Sequence, residues 1–502
     1  MPHSSSIPIL NHSKLFVLCP LLAVLTSLLF WPGSSFAQDP FAHRKSNLSI
    51  FVQDSNGNAI SNATVDLKMT RHAFQFGTQV HDRLFTISES DFSSLNSNQK
   101  RGLIGDFSGT GVVPTWQDTL NYRSAIYENF NHIIPTNGMQ WLPYQNNGPQ
   151  HVDAAIQAAQ ANGMTVTGHA VVWQNPNWPT PNQFRPAANP DPQLFHDALV
   201  SERLGPAGII TRFSDAGAGP TVLDWDVLNE PLHVTHYSDV FVSAGIYPTE
   251  KHAWADFFIR ADALRPDANL AINDYNILNS GGDAAAMQYR DLVNDLLVLG
   301  APIDQIKVQA HMDRMVSKAE LTRRLDILAE TGLPIAISEF DMRDDANQIS
   351  PANQKQLFQN ILEASFAHES VNGFSMWGPW DPAHWRGNGP LFDENWIVKD
   401  EASAWFDLVR GEWMTSLDDQ LIGVDGMWDG FVIDGTYDFT VNVNGQSQTF
   451  SGFALNDDAA FTLTVTAVPE PSSLFAASLA LLAVASRHRR KSPQVQTCGM
   501  KR

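Results

Sequence analysis

The chain has 502 residues, of which 43% are hydrophobic, 17% charged and 10% aromatic, and its formal net charge is −21. That balance excludes a disordered chain, and so large an acidic excess excludes nucleic acid and anionic membrane surfaces as partners of the folded body. The ends are basic by contrast, with Lys14, Arg487, Arg489, Arg490, Lys491, Lys501 and Arg502 set against the single acid Glu470, so the body is more acidic still. An uncharged partner fits it better.

In chain order, residues 15 to 30 (LFVLCPLLAVLTSLLF) follow Lys14 and lead into Ser35-Phe36-Ala37. This is the pattern of a secretory signal with a small-residue cleavage site, assigned to 1–37. Cys19 lies inside it and Cys498 in the extreme tail, so the body holds no cysteine and must rely on core size instead of disulfides. Over 38–72, alternating apolar and polar residues around Asn56-Gly57 predict a β-hairpin. The stretch DSNGN is no calcium loop, because its glycine comes fourth and no glutamate closes it.

From 73 to 411 a unit repeats in which a helical pattern precedes a short apolar run. Val152, Ala155, Ile156 and Ala159 stand at i, i+3, i+4 and i+7, the pattern stops at Asn162-Gly163, and MTVTGH follows as a buried strand. The same alternation leads into NLAINDYN, IKVQAHM, LPIAISEFD and VNGFSMW; with AFQFGT, FNHIIPT and VLDWDVLNE the strands number eight. The prediction is an α/β fold, a (β/α)8 TIM barrel. An open doubly wound sheet is the alternative, but no glycine-rich phosphate loop follows the first strand. Residues 412–467, strand-like with Asp-Gly and Asn-Gly turns, are expected to form a small β appendage packed on the barrel with the hairpin.

The tail, 468–502, joins Pro-Glu-Pro, a short apolar stretch and the basic run SRHRRK. It resembles the bacterial PEP-CTERM sorting signal, which implies export to the cell envelope and sorting machinery there that acts on the tail. The apolar run is short for a spanning helix of ~20 residues.

Six of the eight strands share an unusual property. His169 with Trp173, Asn229 with Glu230, Asn273 with Tyr275, Gln309 with His311, Glu339 with Asp341, and Trp377 all fall at or just past the C-terminal end of an apolar run. In a barrel those ends converge on the face that carries active sites. Carboxylates, amides, imidazoles and indoles together suit a carbohydrate, whose hydroxyls need hydrogen bonds and whose C–H faces stack on indole. No His-Glu-x-x-His, Cys/His cluster or phosphate cradle supports a metal or cofactor, and none is expected. Glycoside hydrolysis needs two carboxyl groups, and Glu230 and Glu339 are the natural pair. Strict strand alternation would put Asp224, Asp226 and Glu230 on one face and Asn229 on the other; only Glu230 reaches the mouth before Pro231.

GHAVVW, WDVLNE, NDYN, QAH, ISEFD and WGPWDPAHW occur in that order over roughly residues 73 to 410. In this the chain resembles the glycoside hydrolase family 10 endo-β-1,4-xylanases. The resemblance implies that Glu230 is the acid/base and Glu339 the nucleophile of a retaining hydrolysis of xylan, or of a related β-linked polysaccharide, by a monomer. It further implies that Asn229 bonds the 2-hydroxyl of the sugar being cleaved. Asn137, His169, Trp173, Gln309, His311 and Trp377 would line the binding cleft, and Trp385 would cover the neighbouring sugar. Asp341 would back His311, and Asp226 would stand behind the site.

Three positions depart from the family pattern. In PTNGMQW, Thr136 stands for the usual glutamate and Gln140 for the usual lysine, and Gln174 replaces a histidine commonly found after the tryptophan of GHxxxW. These leave open a same-fold hydrolase of another β-linked glycan, or a catalytically weak polysaccharide-binding surface protein.

Overall fold

The computed structural model describes residues 39–105, 111–343 and 349–466. The secretory segment 1–37 and the tail 468–502 therefore lie outside the described residues. The chain divides into two units, Met1–Pro40 and Phe41–Arg502; of the first, only Asp39 and Pro40 are described.

In the second unit, β1 (Lys45–Asp54) and β2 (Ala63–His72) come first. Then follow β3 (Gln75–Val80), β4 (His132–Pro135), β5 (Thr165–Trp173), β6 (Asp224–Asn229), β7 (Asn269–Asp274), β8 (Gln305–Val308), the two-residue β9 (His311–Met312), β10 (Ile335–Met342) and β11 (Val371–Met376). The last five are β12 (Ser416–Leu421), β13 (Met427–Ile433), β14 (Gly435–Val443), β15 (Gln446–Leu455) and β16 (Ala459–Val465).

Strands β3 to β8, β10 and β11 pair in parallel in chain order, and β11 returns to β3 through Gly373↔Gln75 to Met376↔Thr78. The barrel closes with eight strands, all at the positions expected. The strands are almost wholly buried, as parallel strands covered on both faces must be. Helices cover the outside with one apolar stripe each. In the helix Gln150–Ala161 the buried residues are Val152, Ala155, Ile156 and Ala159. Gly163, in the left-handed region at φ 68°, turns the chain from that helix into β5. Ser317 and Glu320 form a capping box on the helix Lys318–Ala329.

The N-terminal hairpin expected over 38–72 does not form as a strand pair, since β1 and β2 lie in different sheets. Only its tip forms, as the bridge Gln53↔Ala59, after which the chain leaves for a second sheet. Strand β1 lies between β13 and β16, while β2 lies between β12 and β14. Each strand has one apolar face to bury, Leu48, Ile50 and Val52 on β1 and Val65, Leu67 and Met69 on β2. A lone hairpin would leave that face wet, whereas two stacked sheets cover it. Phe439 of β14 and Phe453 of β15 both meet Phe461 of β16, across the two sheets. The segment 412–466 is thus no separate appendage: it supplies five of the seven strands of a two-sheet sandwich, and the N-terminal segment supplies the other two, one to each sheet.

Every strand that pairs with β1 or β2 comes from beyond residue 415. A chain ending at residue 415 is expected to aggregate or to bind a hydrophobic dye, whereas one ending at residue 466 stays folded. A soluble monomer with unchanged Tm after the shorter truncation would contradict the shared sandwich.

Candidate active site

A cleft of about 690 Å³ opens at the C-terminal ends of the barrel strands. Asn137, His169, Trp173, Asn229, Glu230, Gln309, His311, Glu339, Trp377 and Trp385 all line it. Asp226 and Asp341 do not line it; they stand behind His169 and His311 respectively.

Strand alternation does not deliver Asn229 and Glu230 to the same cleft. The register shift between Asp226 and Leu228 in the pairing with β7 turns Asn229 to the face of Asp226, and Glu230 lies just past the strand's end at Asn229, where alternation no longer holds. Glu230 then takes φ 58°, an uncommon conformation for a side chain that also precedes proline. Its N–H donates to Asn273 O at 2.7 Å, and its own carbonyl accepts from Val234 N at 2.9 Å.

The two glutamates sit in different settings. Glu230 Oε2 accepts from Trp173 Nε1 at 2.8 Å and Oε1 from Gln309 Nε2 at 3.0 Å. Burial raises its carboxyl to about 7, aided by the charges of Glu339 and Asp274 and only partly opposed by those two hydrogen bonds. Glu339 Oε1 accepts from Asn273 Nδ2 at 2.9 Å, and Oε2 lies 3.2 Å from His311 Nε2. Burial works against a charge on His311, but Asp341 and then Glu339 outweigh it and lift the imidazole to about 10. His311 is therefore doubly protonated at neutral pH, donating Nε2–H to Glu339 and Nδ1–H to Asp341 at 2.8 Å.

Asp341 is fully buried and accepts from two donors besides His311, Trp385 Nε1 at 2.7 Å and Arg386 Nη1 at 2.8 Å. One carboxylate thus orients an imidazolium, an exposed indole and a guanidinium that stacks over that indole at 4.3 Å.

Asn273, which the sequence places at the mouth of the barrel without a role, donates from Nδ2 to both Asn229 Oδ1 at 3.0 Å and Glu339 Oε1. Its own Oδ1 accepts from Ser338 Oγ at 2.8 Å. Its place in NDYN, at the end of an apolar run, was the available signal. Tyr275 and Trp178 also line the cleft, with Tyr275 stacked on His233 at 3.7 Å. His233 in turn faces Asp274 at 2.7 Å.

Two of the three departures, Thr136 and Gln140, line the cleft, and Gln174 does not. Thr136 turns its hydroxyl to Val80 O at 2.6 Å, and Gln140 lines the cleft with its buried Oε1 unpartnered among the described residues. Gln174 is fully buried and accepts from Ser238 N at 2.8 Å. Thr136, Asn137 and Gln140 together bring no charge to the cleft.

Residues 100–407 match the model of glycosyl hydrolase family 10. The chain belongs to glycosyl hydrolase family 10. This glycoside hydrolase also carries, at residues 467–491, the PEP-CTERM protein-sorting motif of exported proteins sorted to the envelope. Among curated relatives, Anti-sigma-I factor RsgI6 of Acetivibrio thermocellus is 27% identical over 437 residues, 85% of this chain and 49% of the relative. Endo-1,4-beta-xylanase A of Phanerodontia chrysosporium is 28% identical over 298 residues, 55% of this chain and 68% of the relative. The family 10 chain thus spans about half the length of the first relative and two thirds of the second. Among solved structures, native xylanase10C from Cellvibrio japonicus has a TM-score of 0.52 at 22% identity, covering 68% of this chain and 71% of that one. Xylanase 10B from Thermotoga petrophila in complex with xylobiose has a TM-score of 0.50 at 20% identity, covering 67% of this chain and 94% of that one. Both share the barrel fold.

Proposed function

We propose that this family 10 protein is an exported, retaining endo-β-1,4-xylanase. The carrying observation is the unequal pair at the cleft: Glu230, raised by burial to about 7, and Glu339, held between an amide and the His311 imidazolium. Retaining hydrolysis needs one protonated and one ionised carboxyl group about 5–5.5 Å apart. Glu339 attacks the anomeric carbon while Glu230 donates its proton to the departing glycosidic oxygen. Water then hydrolyses the glycosyl-enzyme with Glu230 as base.

Asn229, held by Asn273 beside both carboxyl groups, is suited to bond the 2-hydroxyl of the sugar being cleaved. His169, Trp173, Gln309, His311 and Trp377 wall the cleavage subsite, and Trp385 covers its neighbour. The relatives named as xylanases support xylan as substrate. The test is product analysis on xylan and a panel of β-glucans, with the anomeric configuration of the first product followed by NMR. Initial α-product from xylan would overturn retention, and activity on a glucan alone would overturn the substrate.

The neutral wall of Thr136 and Gln140 favours a second reading, the same mechanism on another β-linked glycan. Charged hydrogen bonds contribute about 1.5–3 kcal/mol each. Thr136→Glu with Gln140→Lys is therefore expected to tighten xylo-oligosaccharide binding by roughly one to several orders of magnitude in calorimetric titration. Unchanged affinity would mean that this wall serves a different sugar.

A further inference from the structure

Below the cleft, the barrel interior holds a buried charge cluster that the reaction does not use directly. Lys307 on β8 shares its inward face with Gln309 and His311, but lies deeper and is 3% exposed. Its Nζ is 2.7 Å from Asp224 Oδ2, 3.0 Å from Asp226 Oδ1 and 3.1 Å from Thr167 Oγ1. Asp226, 1% exposed, reaches up with its other oxygen to His169 Nδ1 at 2.7 Å. His169 lines the cleft, and this bond to Nδ1 leaves Nε2 as the ring nitrogen available to a ligand.

The groups around Lys307 are complementary. From β6 come Asp224 and Asp226, from β5 Thr167 and His169, and from β4 His132, which burial keeps neutral with its pKa lowered to about 3. Tyr289 donates its hydroxyl to the Lys307 carbonyl at 3.2 Å, away from the ammonium. The Lys307 ammonium and the His169 ring thus face two acidic side chains. Burial alone would raise Asp226, but Lys307 first and His169 second outweigh it and lower it. For His169 burial is likewise outweighed, by the Asp226 hydrogen bond and the charge of Glu339, and the imidazole is raised.

We propose that Lys307 is a positioning residue of the active site: its ion pair holds the Asp226 carboxylate in place, and Asp226 then fixes the His169 ring with Nε2 turned to the sugar. The part that concerns the sugar rests on the glycosidase reading; the part that concerns the ring does not. The bland alternative is that Lys307 only neutralises Asp224 at the bottom of the barrel.

Two variants separate these roles. Lys307→Met alone leaves two acids facing each other and is expected to lower Tm. Lys307→Met with Asp224→Asn removes one charge of each sign and is expected to recover Tm. In that double variant Asp226 has lost the Lys307 ammonium and keeps only the His169 ring, so it takes up a proton at higher pH and then stops accepting from Nδ1–H. The acid limb of kcat/KM then moves up by roughly 1–3 pH units, the range by which a neighbouring charge shifts a carboxylate. At pH 6, kcat falls by about 10- to 100-fold, the scale on which a displaced active-site group costs rate, while KM changes less. Nitrogen-15 NMR of the histidine rings, with His169 assigned from His169→Asn, reads the ring directly. Nδ1 of His169 stays protonated and hydrogen-bonded through the titration in wild type and loses that signature in the double variant. A double variant with recovered Tm, a wild-type acid limb and an unchanged His169 signal would overturn the proposal. If wild type cleaved no β-glycan at all, the glycosidase reading would fall while the ring signal still decided the role of Lys307.

Discussion

Glu339→Ala is expected to lower hydrolysis of xylan by about 10⁴- to 10⁶-fold, the scale on which loss of a covalent nucleophile acts. The variant keeps the rest of the site, because His311 remains tied to Asp341 and Asn273 remains tied to Asn229 and Ser338. What it loses is the oxygen that would bond the anomeric carbon from the face opposite the leaving group. Azide is small enough to enter that space and attack from the same face. With an activated aryl glycoside, which needs little help from Glu230, azide is therefore expected to restore turnover and to yield the α-glycosyl azide. The product configuration carries the information, since rescue of a missing acid/base would instead place azide on the β face of a glycosyl-enzyme. Near-wild-type hydrolysis by Glu339→Ala, or a β-azide product, would remove Glu339 from the nucleophile's role.

The barrel was legible because its strands are short apolar runs and its helices carry period-3.6 stripes, two signals that do not depend on distant residues. The sandwich was not, because alternation in β1 and β2 states only that one face is buried. It cannot say whether the covering strands lie nearby or 380 residues away, as Asp429 does from Ser49. The lining of the cleft was legible from the position of polar residues at strand ends. Asn229 and Glu230 required more, since alternation sends them to opposite faces, and both reach the cleft only because a register shift in β6 turns Asn229 inward and Glu230 takes φ 58° past the strand's end. Lys307 was invisible for a different reason. A lysine inside a strand ordinarily points to solvent, and only the closed barrel brings Asp224 and Lys307, 83 residues apart, together with Asp226.

Glu230→Gln carries the other large effect, with opposite consequences for activity and stability. A carboxyl raised to about 7 is protonated below that pH and is lost as a general acid above it. kcat/KM on xylan, whose leaving group is poor, should therefore fall on the alkaline side with an apparent pKa near 7. Aryl glycosides with good leaving groups should be far less sensitive. The glutamine variant has no proton to donate, so it should lose xylan hydrolysis and keep the first step on activated substrates. For stability the sign follows from proton binding. The unfolded carboxyl titrates near its ordinary value of 4.5, so between there and about 7 the folded state holds more protons, and stability falls as pH rises through that window. Above it the buried anion costs up to about 3 kcal/mol, at 1.36 kcal/mol per pKa unit. Glu230→Gln removes the cost and should raise Tm at pH 8 while leaving it nearly unchanged at pH 4. A variant that is less stable than wild type at pH 8 would mean that the hydrogen bonds from Trp173 and Gln309 outweigh burial, and that Glu230 is ionised at rest. In that case the alkaline limb of the rate profile would need another owner, and the unequal pair would lose its protonated member.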